Sequence, residues 1–381
     1  MNESVETPNM ASMDDATLLK HAENFHKTKA KSRETLKTYY PELPSKIQKE
    51  LDSEEAGELR SLTKALRVLL FTCAIAAIVQ GWSQESIVGA NLEWPQELKI
   101  ANKIDNEPTE FIGNGLRYFG IVNAMPYFAA SVLGAWVSDP ITYVYGRRTA
   151  LFFAAICSFA APIGSAYCRT WSQLLVCRLI QGVGMGAKAS VVPVIESEVA
   201  PPKLRGRLLV SWQTFVAIGI FLGAVTNLIF EGHWRWQIGI GFVPAVPLLC
   251  LCYVIPESPR WLMRKQQYSK AYLGFLELRA TPLQAARDLF MIYIQSSVEA
   301  LLSSGDEVTT ASLSRDLDKD TKPYEKSDWG SHEFFYRVHE FFSKIFGLFR
   351  DGRNRRAVVA SSVVMISQYV LRHPDLASAV Y

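Results

Sequence analysis

The residues of this chain that could do chemistry fall into three groups. Arg178-Leu-Ile-Gln-Gly182-Val-Gly184-Met-Gly186-Ala187 has the glycine spacing of a dinucleotide-binding loop. That loop needs a preceding strand and a soluble βαβ unit around it. Here the flanks are apolar, so the glycines predict a slim helix surface for close packing instead. Gln213 stands inside a second apolar stretch, Trp212-Gln213-Thr214-Phe215. An amide there is costly unless its hydrogen bonds are met. Its two donors and one acceptor suit either the hydroxyls of a bound solute or a bond to another helix. The third group is charged: Asp139, Arg147, Arg148, Glu198, Arg205, Glu257 and Arg260 stand at the ends of apolar blocks, where opposite signs can pair. No catalytic triad, phosphate loop or metal-ligand cluster occurs in the sequence, so no enzyme activity, metal or cofactor is expected.

The elements that must position these residues are long apolar blocks. The 49% hydrophobic content of the 381 residues is ordinary, but its distribution is not. Residues 118–137 and 150–168 carry no formal charge until their ends, and a bilayer core needs about 20 apolar residues at 1.5 Å rise each. Residues 68–90, 174–195, 208–230 and 236–255 are interrupted but long enough. The fold class expected is therefore an all-α membrane protein with six transmembrane helices. The net charge of +3, without a basic block interleaved with aromatics, argues against nucleic acid. Basic residues gather after the even-numbered blocks, namely Arg147 and Arg148, then Lys203, Arg205 and Arg207, then Arg260, Arg264 and Lys265. The positive-inside rule puts those loops and the amino terminus in the cytosol. The six cysteines lie in or beside apolar blocks and imply buried thiols rather than a structural disulfide or metal site.

Several motifs resemble the sugar-porter branch of the major facilitator superfamily. Pro256-Glu-Ser-Pro-Arg-Trp-Leu262 follows the sixth block. The Arg178 glycine run and its exit, Glu196-Ser-Glu198-Val-Ala200-Pro201-Pro202-Lys203-Leu204-Arg205-Gly206, resemble that family's fourth span, with Ile195 where the family has Tyr. Gly134-Ala-Trp-Val-Ser-Asp139-Pro140 followed by Gly146-Arg147-Arg148 is similar to its second-to-third-span loop, in a longer form that resembles a fungal subgroup. The resemblance implies a sugar-transporting half fold, with Gln213 touching sugar. It also implies a cytosolic gate network of Asp139, Arg147, Arg148, Glu198, Arg205, Glu257 and Arg260; positive-inside anchoring alone is the plainer reading of those charges.

The first block departs from the family. Gly81-Trp82-Ser83-Gln84-Glu85 aligns with a stretch in which proton-coupled members have Asp at the position of Ser83. Serine does not titrate near neutral pH, whereas Arg178 stays charged. Glu85 lies two residues on, about 200° around a helix, and should face elsewhere. Facilitated movement is therefore expected over a symport driven by Glu85. Lys188 has three readings: snorkelling, pairing with Glu196 or Glu198, or lining the path.

The organisation expected is a polar, largely disordered cytosolic tail over residues 1–64, a six-helix domain over 65–255, a cytosolic helical linker over 256–352, and a partial seventh span with a divergent tail over 353–381. In the linker, 269–302 has helical spacing broken at Pro282, and the aromatic, basic stretch 332–349 reads as an interfacial helix or part of a gate bundle. Gln368 resembles a second sugar-binding position, but beyond it the sequence reads Tyr369-Val-Leu-Arg372-His373-Pro374 and the resemblance stops. The expectation is an incomplete form of a sugar transporter of the plasma membrane, produced by a retained intron, frameshift or gene-model error, with a natural short isoform as the alternative. Its partners would be a small sugar, the lipid bilayer, and a second transporter half or full-length transporter. The rival functions are a non-transporting protein that modulates a full-length transporter, and a sugar sensor.

Overall fold

A computed structural model describes residues 62–102, 111–201, 204–304, 356 and 359. The chain divides into two units, 1–325 and 326–381, and in the second Arg356 and Val359 are helical. Gln368, Lys203, the amino-terminal tail and the 332–349 stretch lie outside the described residues. Within them the secondary structure is helical, apart from an isolated bridge between Ala101 and Phe111.

Helix α1 (Lys64–Ala90) starts where the Thr63 hydroxyl accepts the Leu66 N–H, a cap that satisfies one of the orphan donors of the first turn. A short α2 (Trp94–Glu97) follows. Next come α3 (Gly115–Ala129), a π turn (Ala130–Gly134) and α4 (Ala135–Tyr145). These three form one span bent by 42°. Pro126 and Pro140 each remove a helix donor, and the π turn absorbs the mismatch. Helices α5 (Arg147–Ala166), α6 (Trp171–Val199) and α7 (Arg205–Ile229) are each continuous. The sixth span is α8 (Trp234–Gly239), a 3₁₀ turn (Ile240–Phe242) and α9 (Ala245–Val254). Among the described residues five helices are long and apolar enough to cross a membrane, and the bent pair, counted as one span, makes the sixth.

Glycine sets how closely these helices approach. A Cβ on Gly81 would strike the Val216 carbonyl of α7, and one on Gly219 would strike the Ile78 carbonyl of α1. The two backbones therefore touch directly, the kind of packing that joins helices where no hydrophobic force acts between them. On α6, Gly182 and Gly186 face Pro126, Ala129 and Ala130 of the second span, whereas Gly184 faces Cys157 and Ser158 of α5. Residues two apart lie about 200° around a helix, so alternating glycines open two opposite faces. The glycine run thus seats α6 between its neighbours. The inner core includes Leu66, Leu69, Ala76, Leu151, Val192 and Leu248.

Past the sixth span the chain forms α10 (Pro259–Arg264), α11 (Tyr268–Leu278) and α12 (Pro282–Ser304). Pro282 opens α12 at the position where its missing N–H costs nothing. Tyr268, Tyr272, Phe275, Leu289 and Tyr293 bury one another to hold this group together. It is tied to the spans by Arg279, which donates to the Val199 carbonyl at 3.0 Å and pairs with Asp288 at 2.6 Å. Burial opposes ionisation of Asp288, but Arg279 and Arg287 hold its carboxyl below the usual range.

Candidate functional site

At the end of the bundle where the basic residues gather, charged groups of α5, of α6 and of the segment between α9 and α10 meet. Arg147, at the start of α5, reaches Glu198 near the end of α6 through two bonds, Nη2 to Oε1 at 2.8 Å and Nε to Oε2 at 3.3 Å. Both side chains are nearly buried, at 9% and 6% exposure. The Ser258 hydroxyl donates to the same carboxylate at 2.7 Å. One oxygen of Glu257 accepts the backbone N–H groups of Arg147, Arg148 and Ser258 at 2.8, 3.1 and 3.1 Å. Glu257 therefore caps the amino-terminal end of α5, where unpaired N–H groups favour an anion. Burial pushes its carboxyl above the ordinary value despite those donors. Arg148 works at the opposite kind of helix end, donating to the Cys252 and Tyr253 carbonyls at 2.8 and 2.6 Å where α9 finishes. Gly146, with φ of 100°, makes the turn, and a Cβ there would collide with the Glu257 carboxylate. The result is a knot fastening the ends of α5, α6, α9 and α10.

Three residues expected in that network stand apart. Asp139 is exposed on α4 and is not hydrogen-bonded to Arg147, although the two are close enough to interact electrostatically. Arg205 is exposed in the first turn of α7, and Arg260 is half-buried on α10, neither with an ion-pair partner among the described residues. Glu198 takes Arg147 instead of Arg205 because α5 and α6 pack side by side there, while the first turn of α7 points Arg205 to the surface.

A second polar cluster lies inside the bundle, towards the end opposite the knot. Arg178 is 1% exposed, and its Nη1 donates to Gln181 Oε1 at 2.8 Å. Gln181 Nε2 in turn donates to the Ser83 carbonyl at 3.2 Å, so Gln181 bridges α6 and α1. The Arg178 Nε and Nη2 atoms have no hydrogen-bond partner among the described residues. Glu85 is turned away, packed on Gly223 of α7, and its carbonyl accepts from Asn227 at 2.9 Å. Lys188 is fully buried with its Nζ unpartnered, so it neither snorkels nor pairs with Glu196 or with Glu198, which Arg147 occupies. Gln213 projects from the exposed face of α7 beside Thr214, opposite the Trp212, Val216 and Gly219 face buried on α1.

Sequence reasoning missed a third cluster at the far end. Arg235 donates through Nη2 and Nε to the single oxygen Glu97 Oε1, at 2.7 and 3.1 Å, and its Nη1 donates to the carbonyls of Ala166 and Cys168 at 2.8 and 2.7 Å. The Trp234 indole N–H donates to Glu97 Oε2, and its backbone N–H donates to Glu93 at 2.9 Å. This clasp joins the turns after α1, α5 and α7. Burial opposes ionisation of Glu97, but Trp234 and Arg235 hold its carboxyl below the ordinary value. The available signal was the i, i+4 pair of acids, Glu93 and Glu97, in the same protein as the adjacent Trp234 and Arg235.

Among relatives, the galactose-proton symporter of Escherichia coli (strain K12) is 34% identical over 172 residues, covering 44% of this chain and 36% of that protein. The arabinose-proton symporter of Escherichia coli (strain K12) is 28% identical over 241 residues, covering 63% and 48%. The D-xylose transporter of Levilactobacillus brevis is 34% identical over 144 residues, covering 37% and 32%. This chain thus spans less than half the length of these relatives. A solved structure of a proton:xylose symporter of the major facilitator superfamily, bound to 6-bromo-6-deoxy-D-glucose, superposes with a TM-score of 0.54 at 20% identity, over 64% of this chain and 56% of that one. At that identity the match speaks for the fold. The model of the family described as sugar (and other) transporter matches residues 70–313, which take in all six spans except the first turns of α1, together with the knot and the Arg178 cluster. The chain belongs to the sugar (and other) transporter family and has a multi-pass, all-helical major facilitator fold.

Proposed function

We propose that this chain supplies a substrate-facing half of a membrane transporter for hexoses or oligosaccharides, working by alternating access. The observation that carries the reading is the knot of Arg147, Glu198, Ser258 and Glu257. It fastens the third, fourth and sixth spans to one another at one end of the bundle, so that they can move together, as rocking of a transporter half requires. In this reading the knot lies on the cytosolic side of the plasma membrane, as the distribution of Lys and Arg supports. Gln213 offers its amide to sugar hydroxyls from the exposed face of α7, a face that a second transporter half, or a partner transporter, would cover. Gln368 would contribute from outside the described residues.

Two of the relatives carry the names of proton symporters, which lends no support to facilitated movement. What supports it is local: Ser83 stands beside Gln181 and Arg178, and the carboxylate nearest in sequence, Glu85, packs on α7. A pH series of sugar uptake into cells lacking their own transporters separates the two. Uptake that is flat between pH 5 and 8 in the native protein, and becomes pH-dependent in Ser83→Asp, supports facilitated movement. A native protein that already needs a proton gradient overturns it. In the same assay Gln213→Ala should weaken apparent sugar affinity roughly tenfold, the equivalent of about 1.4 kcal/mol in lost hydrogen bonds. If the chain moves no sugar yet alters uptake by a co-expressed full-length transporter, the modulator reading replaces this one.

A further inference from the structure

Cys168 lies in the turn between α5 and α6, and Cys177 lies on the second turn of α6. Their sulfurs are 3.8 Å apart, and no other pair of sulfurs among the described residues is in such contact. The surroundings hold both in place. Arg235 fixes the turn through the Ala166 and Cys168 carbonyls, and the Cys168 thiol donates to the Gly164 carbonyl at 3.2 Å. Gly164 leaves the notch in which Cys177 sits, since a Cβ there would lie 3.0 Å from its sulfur. The pair is also at the opposite end of α5 from Arg147 and Arg148, on the side that the charge distribution assigns to the non-cytosolic, disulfide-permissive compartment.

We propose that Cys168 and Cys177 are a disulfide-forming pair, a modification site that staples the turn between the third and fourth spans on the non-cytosolic face. Bond formation closes the sulfurs from 3.8 Å to about 2.05 Å. The oxidant is a low-molecular-weight disulfide of the oxidised-glutathione class. Cys177, the more exposed, loses its proton and attacks one sulfur of that disulfide, breaking its S–S bond and releasing one small thiol. Cys168 then gives up its proton and attacks the Cys177 sulfur of the mixed disulfide, releasing the second small thiol. Two protein thiols are oxidised and one small disulfide is reduced to two thiols. The order follows from environment. Cys168 is 4% exposed, and burial reinforced by the neighbouring Cys177 pushes its thiol up to about 12, which suits a resolving rather than an attacking group.

The test uses membranes from cells expressing the full chain, treated with oxidised glutathione, quenched with N-ethylmaleimide and digested with trypsin. Cleavage after Arg148, Arg169 and Arg178 puts Cys168 in peptide 149–169 and Cys177 in peptide 170–178. The expected product is the two peptides joined, two hydrogens lighter than their sum, with Cys157 carrying maleimide and the link lost on dithiothreitol treatment. A link present before oxidant is added is the same result reached during biosynthesis. In Cys168→Ser the link disappears and Cys177 accumulates the glutathione adduct. Recovery of both cysteines of the native chain as maleimide adducts after oxidation, or a link from Cys177 to Cys157, overturns the proposal.

Discussion

The basic-end knot and the Arg178 cluster each bury an arginine and treat it in opposite ways. In the knot, Arg147 uses Nε and Nη2 on the Glu198 carboxylate, which also accepts the Ser258 hydroxyl, while one oxygen of Glu257 accepts three backbone N–H groups. In the cluster, Arg178 keeps one neutral partner, two of its nitrogens are unpartnered, and Lys188 has none. A bidentate, charge-assisted pair with further hydrogen bonds offsets the cost of burying its charges. A buried charge with a neutral partner does not, so stability alone does not explain keeping Arg178 or Lys188. The difference teaches that the first region pairs its buried charges, while the second buries charge that the described residues leave largely unpaired.

The largest effect should come from breaking the knot. Arg147→Ala leaves Glu198 buried with only Ser258 and should cost about 3–5 kcal/mol, seen as a steep fall in the thermal unfolding midpoint in detergent. A midpoint within a few degrees of the native protein would erase the contrast. Next, Arg178→Met removes a poorly paired charge at the expense of one hydrogen bond to Gln181, and should change stability by no more than about 1 kcal/mol in either direction. A loss as large as that of Arg147→Ala would show that the Arg178 cluster is structural after all. The smallest effect belongs to the far clasp. Glu97→Gln should shift stability by less than about 1 kcal/mol at neutral pH, because the Arg235 pair is half exposed. The Glu97 carboxyl is held below its ordinary value, so its contribution is complete above about pH 4.5 and is lost as pH falls through the depressed value. An acid titration of the unfolding midpoint should therefore lose part of its slope below about pH 4 in Glu97→Gln. An unchanged slope would remove Glu97 from the clasp.

Much of the scaffold was legible in the sequence. The six spans, the basic end and the role of the Arg178 glycine run in packing follow from apolar length, loop charge and residue size, which are properties each segment carries with it. The choice of ion pairs was not. Glu198 had Arg147, Arg148 and Arg205 within reach on paper, and the pairing with Arg147 depends on how α5 and α6 are rotated about their axes, which loop charges do not encode. The same holds for Glu257, a motif residue whose carboxylate serves as a helix cap across 110 residues of chain. Gln181 escaped notice because one amide in a glycine run looks like filler until Ser83 is brought beside it. The clasp of Glu93, Glu97, Trp234 and Arg235 escaped because its parts are about 140 residues apart and each is ordinary alone.

What the sequence by itself determined is which segments are long and apolar enough to cross a membrane, which end is basic and where glycine permits close contact, because hydrophobicity, charge and size act locally. Only the tertiary structure decided which acid meets which base, which buried nitrogens go unpaired, and which two of the six cysteines touch, because those depend on helix rotation and approach to within an ångström or so.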